Sequence, residues 1–107
     1  MEYVIRYIEL KSGFHDDGPA WIGKVRLSKS EQTVYFNEKT FQRCRGIQGN
    51  YFDIETNEEY WISGVKKDGT NRHKYGHGKI LMDRSIVKEY LDLMNQVSLD
   101  KNKFELI

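Results

Sequence analysis

The stretch GNYFDIETNEEYWISGV, residues 49–65, constrains the fold more than any other part of the chain. Two runs rich in aromatic and β-branched residues flank a polar turn, the composition of a pleated, half-buried surface. Thr56 and Asn57 fall at the tip, and Asn tolerates the left-handed backbone of a tight reversal. In the second run Tyr60, Ile62 and Gly64 alternate with Trp61, Ser63 and Val65, so each set lines one face. The stretch reads as a β-hairpin, and the most basic segment of the chain follows it directly.

The remaining runs repeat the pattern. Residues 3–10 are apolar-rich and broken by Arg6 and Glu9, a first strand. The loop after it, 11–19, holds the single proline, Pro19, where a missing N–H does no harm. Residues 20–27 form a second strand with Trp21, Gly23, Val25 and Leu27 on one side. Ile22, Lys24 and Arg26 form the other side, which the two cations turn toward water. Residues 33–36 and 41–45 follow as short strands, separated by a turn over 37–40, and 79–82 is a last short strand. Asp83 is a suitable N-cap for a helix over about 84–96, with Ile86, Val87, Tyr90, Leu91 and Met94 as its apolar stripe. The tail, 97–107, ends Phe104-Glu105-Leu106-Ile107, apolar enough to dock back on the body. The pattern predicts a mainly β domain. It is a small curled antiparallel sheet or SH3-like barrel of five to six strands capped by one C-terminal helix. Trp21 and the helix stripe are expected to pack against each other's layers.

A chain of 107 residues suffices for one domain with one core. Seventeen basic and sixteen acidic residues leave a formal charge of +1, so only the local distribution of charge can point to a partner. One cysteine, Cys44, cannot make an internal disulfide. The first residues lack the basic start and apolar run of a signal peptide, and no stretch reaches the ~18 apolar residues that span a bilayer. A cytoplasmic protein without membrane contact is expected.

Three ordered blocks carry a resemblance. They are Tyr7-Ile8-Glu9-Leu10-Lys11 with Gly18-Pro19-Ala20-Trp21-Ile22-Gly23, then Gly49-Asn50-Tyr51-Phe52-Asp53 with Glu58-Glu59-Tyr60-Trp61-Ile62-Ser63-Gly64, then Val65-Lys66-Lys67-Asp68-Gly69 with Arg72-His73. Together they resemble a family of short bacterial proteins without established function, over most of the chain from Tyr7 to the helix. Asn57 stands where that pattern has Gly, and both residues tolerate positive φ. The resemblance brings no catalytic or ligand residues. Enzyme names inherited within such a family, a thiamine-dependent synthase among them, do not fit a single small domain.

Candidate chemistry concentrates after the hairpin. Between 66 and 79 stand Lys66, Lys67, Arg72, Lys74 and Lys79 against Asp68 alone, with His73 and His77 adding charge in acid. Tyr75 and Trp61 offer stacking faces, and glycines at 69, 76 and 78 let backbone N–H groups approach an anion. Cations, aromatics and glycines together serve single-stranded nucleic-acid binding. The bland reading is a solvated loop whose charge answers Asp53, Glu55, Glu58 and Glu59 at the hairpin tip. Lys24-Arg26-Lys29 and Lys39-Arg43-Arg45 are two further basic clusters.

Metal and catalytic readings are weaker. His15, Asp16, Asp17, His73, His77 and Cys44 are ligand types, but Gly76 and Gly78 oppose a helix that would align His73 with His77, and no paired-Cys motif is present. Arg43 and Arg45 beside Cys44 favour a thiolate, yet no motif supplies a base. Phosphate-loop, dinucleotide and nucleophile-elbow signatures are missing. The sequence thus reads as a non-catalytic binding module without cofactor or metal. It would take nucleic acid or another polyanion through the basic loop 66–79. Lys66, Lys67, Arg72, His73 and Lys74 are the contacts, and Trp61 and Tyr75 are stacking or interface positions. The alternative is a protein-interaction or regulatory domain, inhibitor- or antitoxin-like. It would act as monomer or homodimer through an aromatic surface or a sheet edge, with Trp21, Trp61, Tyr51 and Tyr60 as anchors.

Overall fold

Burial along the strands follows the period of two that the sequence sets, and it does so on both sides of one sheet. The computed structural model describes residues 3–11, 19–46, 49–65 and 79–107. Six strands follow in chain order: β1 (Tyr3–Leu10), β2 (Ala20–Leu27), β3 (Thr33–Phe36), β4 (Lys39–Arg43), β5 (Tyr51–Asp53) and β6 (Glu59–Gly64). Each is antiparallel to the next, and β6 returns to pair with β1, with Ile8 opposite Ile62. The sheet is therefore a closed six-strand barrel, an arrangement that removes free edges.

Its interior is filled by Ile8, Val25, Val34, Phe41, Tyr51, Tyr60 and Ile62, with the Phe41 and Tyr60 rings edge-on at 4.7 Å. Burial in this apolar interior pushes the Tyr60 phenol above its ordinary value. Gly49 lets the β6 backbone come close: a Cβ there would lie 2.6 Å from the Tyr60 carbonyl oxygen.

Three further elements cover one side of the barrel. β7 (Ile80–Met82) runs parallel to the start of β2, with Trp21 opposite Leu81 and Ile22 opposite Met82. A 3₁₀ turn (Arg84–Ile86) leads into α1 (Val87–Met94). β8 (Phe104–Leu106) lies parallel to β7. Asp83 caps the turn as its residue type implies, accepting from the Ser85 N–H at 2.8 Å. Bonds from the Ser85 backbone and hydroxyl hold the Asp83 carboxyl below its ordinary value. The helix stops at Met94 because Asn95 turns left-handed, φ 55°, and Gln96 N–H closes on the Leu91 carbonyl. A second core lies between barrel wall and helix: Tyr7, Ala20, Ile22, Ile80, Met82, Ile86, Tyr90 and Met94. The expected tail thus contains a strand, and its Phe104 ring meets Tyr90 at 5.6 Å.

Two local expectations change. Trp21 does not meet the helix stripe. It lies on the inner face of β2, half-buried at the barrel's margin with its ring 6.3 Å from Phe36, whereas Ile86 and Tyr90 pack on the outer face against Ile22. The alternation of β2 separates the two. The turn after β3 is also shorter than expected. Asn37 and Glu38 alone make it, both left-handed (φ 53° and 64°), so Phe36 faces Lys39 and β4 begins two residues early. This is the mirror-type two-residue turn that matches strand twist, made here without glycine.

That turn also opens the wall. The Ser28 N–H bond to Thr33, together with the Arg26–Tyr35 pair, identifies the β2 residues that bond toward β3. By alternation the next is Lys24. No backbone bond joins Lys24 to Asn37, because the chain has already turned away. β2 therefore pairs with β3 at one end and β7 at the other, with a notch at Gly23 and Lys24 between them. The Phe36 ring covers Gly23 so closely that a Cβ there would clash with it.

Candidate functional site

Lys66, Lys67, Arg72, His73, Lys74 and Tyr75 lie outside the described residues, as do His15, Asp16, Asp17 and His77. What the structure fixes is where the basic segment is tethered. It leaves the barrel at Val65, packed with Ile5 against the outer core, after Gly64 has paired with Arg6. It returns at exposed Lys79, next to Ile80 of β7. The acidic turn of the same hairpin precedes Glu59, at the other end of β6. Five strand steps separate the two, about 17 Å.

The acidic turn is also partly committed to the fold. Asp53 points into the barrel and is buried. It accepts from the Glu55 N–H at 2.9 Å and pairs with Lys39 at 3.1 Å, while Asn57 adopts φ 66° at the tip. Burial alone would raise the Asp53 carboxyl; the Glu55 N–H and the Lys39 ammonium outweigh it and hold the group below its ordinary value of 3.8. The Asp53 hydrogen bond and charge raise Lys39 in turn. Asp53 and Lys39 thus close one rim of the barrel.

In the other basic clusters, Arg43 and Lys24 are likewise engaged. The Arg43 guanidinium lies 5.9 Å from the Tyr51 ring centroid, and Lys24 pairs with Glu89 of α1 at 2.7 Å. On β1, buried Glu9 accepts from the Tyr7 hydroxyl and pairs with Lys11 at 2.9 Å.

Arg26, like Arg43, has no carboxylate within ion-pair distance among the described residues, but it meets two rings where Arg43 meets one. The register partners of Arg26 are Tyr3 on β1 and Tyr35 on β3, and its guanidinium lies 6.0 Å and 5.4 Å from their ring centroids. This row, with Lys24 and the Asn37–Glu38 turn, lines an open groove of about 320 Å³. The notch continues it as a cleft of about 250 Å³ toward Asp83 and Ser85, and Lys24, Phe36 and Asn37 line both. The Tyr3 end of the row stands at the end of β1 where Arg6 pairs with Gly64, just before the basic segment begins.

Sequence reasoning missed Tyr3 and Tyr35. Alternation along β2 turns Arg26 outward, but the row is assembled from three strands by register, which no local pattern encodes.

Trp61 is exposed, at 42%, as an interface position requires. It faces Glu9, six residues along β1 from Tyr3 and therefore about 20 Å from the tyrosine row. The structure does not bring them together. Of the other expected anchors, Tyr51 and Tyr60 are buried in the barrel and unavailable to a partner. Cys44 is half-buried just past β4, its N–H bonded to the Asn50 carbonyl at 3.0 Å. Among the described residues no three His, Cys, Asp or Glu side chains converge as a metal site, and no helix is long and apolar enough to cross a membrane. Comparison with family models, curated proteins and solved structures gives no match, so any functional reading rests on these residues.

Proposed function

We propose that the protein is a non-catalytic binding module for an anionic polymer, nucleic acid foremost, held through the basic segment 66–79 by Lys66, Lys67, Arg72, His73 and Lys74. One observation carries the reading: the segment leaves β6 at Val65, at the end away from the acidic turn with which its charge could cancel. Lys24 and Lys39 already have carboxylate partners, which lowers what those two positions offer a polyanion and favours the segment as a source of charge. In this reading the likeness to short bacterial proteins and to SH3-like barrels describes a scaffold that presents a surface, and its place of action is the cytoplasm.

Fluorescence anisotropy with short oligonucleotides at two salt concentrations tests it. About four phosphate contacts give a log–log salt slope near −3, at about −0.7 per contact for single strands. Lys66→Ala and Lys67→Ala each flatten that slope by about one contact. An absence of binding at low salt, or a double variant that binds as well as the parent, removes this reading.

A protein partner is the second reading, favoured by one feature. Among the described strands β8 ends the sheet order and exposes Leu106, an edge to which another strand could pair.

A further inference from the structure

We infer that the ligand is single-stranded nucleic acid rather than a generic polyanion, with bases stacking on Tyr3 and Tyr35 across Arg26 in the groove on β1, β2 and β3. The inference rests on the polyanion reading above and deepens it. The groove by itself is a poor anion site. Lys24 is matched by Glu89, Lys39 by buried Asp53, and Glu38 lines the same groove. Arg26 is the cation left over. What the groove does offer is aromatic area, with Tyr3 at the end of β1 near which Gly64 and Val65 lie. Tyr3 is 62% exposed, and the rings stand on strands two spacings apart, about 10 Å.

Cation–π contact of the Arg26 guanidinium with both rings is the bland account of the cluster. It does not account for an exposed Tyr3 at the rim of an open groove. A chain of sulfates would use free cations and gain nothing from the rings. A single strand gains from both, because each unpaired base has a π-face and its phosphate can reach Arg26. A duplex keeps its bases stacked on each other and cannot use the rings in this way.

The test compares labelled oligo(U) and oligo(dT) with an abasic phosphodiester chain of the same length and charge, at low salt. The parent protein is expected to bind the base-bearing strands more tightly. Tyr3→Ala and Tyr35→Ala are each expected to weaken those strands about 5- to 100-fold while leaving the abasic chain unchanged. Tyr35→Phe, which keeps the ring, is expected to bind like the parent. Tyr3, at the exposed rim, provides the variant least able to disturb folding. Equal affinity for abasic and base-bearing chains, or an unchanged affinity in Tyr3→Ala and Tyr35→Ala alike, overturns the inference and leaves the polyanion reading standing. If the parent binds neither polymer, both fall together.

Discussion

Along the outer face of β2, Ala20 and Ile22 are buried beneath Met82, Ile86 and Tyr90, whereas Lys24 and Arg26, one turn of the pleat further on, meet solvent. Both halves belong to one strand with one backbone conformation, and both pair with β1 on the same side. They differ in what lies on the other edge. β7 continues the sheet beside Trp21 and Ile22 and brings α1 over them; β3 stops at Phe36 and leaves Lys24 without a strand partner on that edge. Side-chain chemistry matches the cover residue by residue. The difference teaches that the barrel builds its core from its interior and the part of its outer wall that β7 and α1 cover, while the Lys24–Arg26 part is left open to solvent.

The largest effect that tests this comparison comes from the covered half. Tyr90 is almost wholly buried and touches both the barrel wall and Phe104. Tyr90→Ala is expected to cost about 3–5 kcal/mol in urea unfolding, the range for deleting a buried aromatic ring. Tyr35→Ala in the open half is expected to cost about 1 kcal/mol or less, the worth of an exposed cation–π contact. Equal costs at the two sites would show that the open half is part of the core after all.

Much of the barrel was legible because its strands alternate cleanly. Tyr60 and Ile62 point in and Trp61 points out, as their spacing requires, and Asn57 and Asp83 sit where turn and cap chemistry put them. Closure was not legible, since pairing Ile8 with Ile62 joins residues far apart in sequence. Nor was the left-handed Glu38, whose residue type disfavours that conformation and which is held there by the strands on either side. Asp53 looked like one of four surface acids, yet register places it beside Phe41 and turns its carboxylate inward. For the candidate site, charge density marked the basic segment, but the tyrosine row depends on three strands meeting and leaves no local trace.

Acid should separate the two halves. Lys39 begins β4 at the turn that borders the groove, and its partner Asp53 anchors it. Because the folded Asp53 carboxyl lies below 3.8, its contribution is present in full above the unfolded value and is lost as pH falls through the folded one. Asp53→Asn is expected to cost about 1–3 kcal/mol at neutral pH, as when a buried hydrogen-bonding group loses its partner. The gap between variant and parent is expected to close below pH 3.8. In amide exchange on the parent, acid is expected to loosen residues 36–40 before the α1–β7 layer. A gap that stays constant down to strong acid would show that Asp53 acts by shape and not by charge.

The smallest effect on stability sits on the border between the halves. Glu89 reaches from covered α1 to Lys24 in the open half, with side chains 53% and 39% exposed. Water screens a pair so exposed, and its contribution is about 0.2–1 kcal/mol. Glu89→Gln is therefore expected to unfold within that margin of the parent. Its effect on binding should run the other way. The substitution frees the Lys24 ammonium in the groove, so a single strand crossing Arg26 gains a further phosphate contact. Oligonucleotide affinity is then expected to rise at low salt, and the log–log slope to steepen by about 0.7. Lys24→Gln in the Glu89→Gln background should return the slope to that of the parent, because the added cation is gone. A slope unchanged by Glu89→Gln would mean that the ligand's phosphates do not pass Lys24. The path of the strand would then run from Tyr3 toward Val65 and away from the cleft.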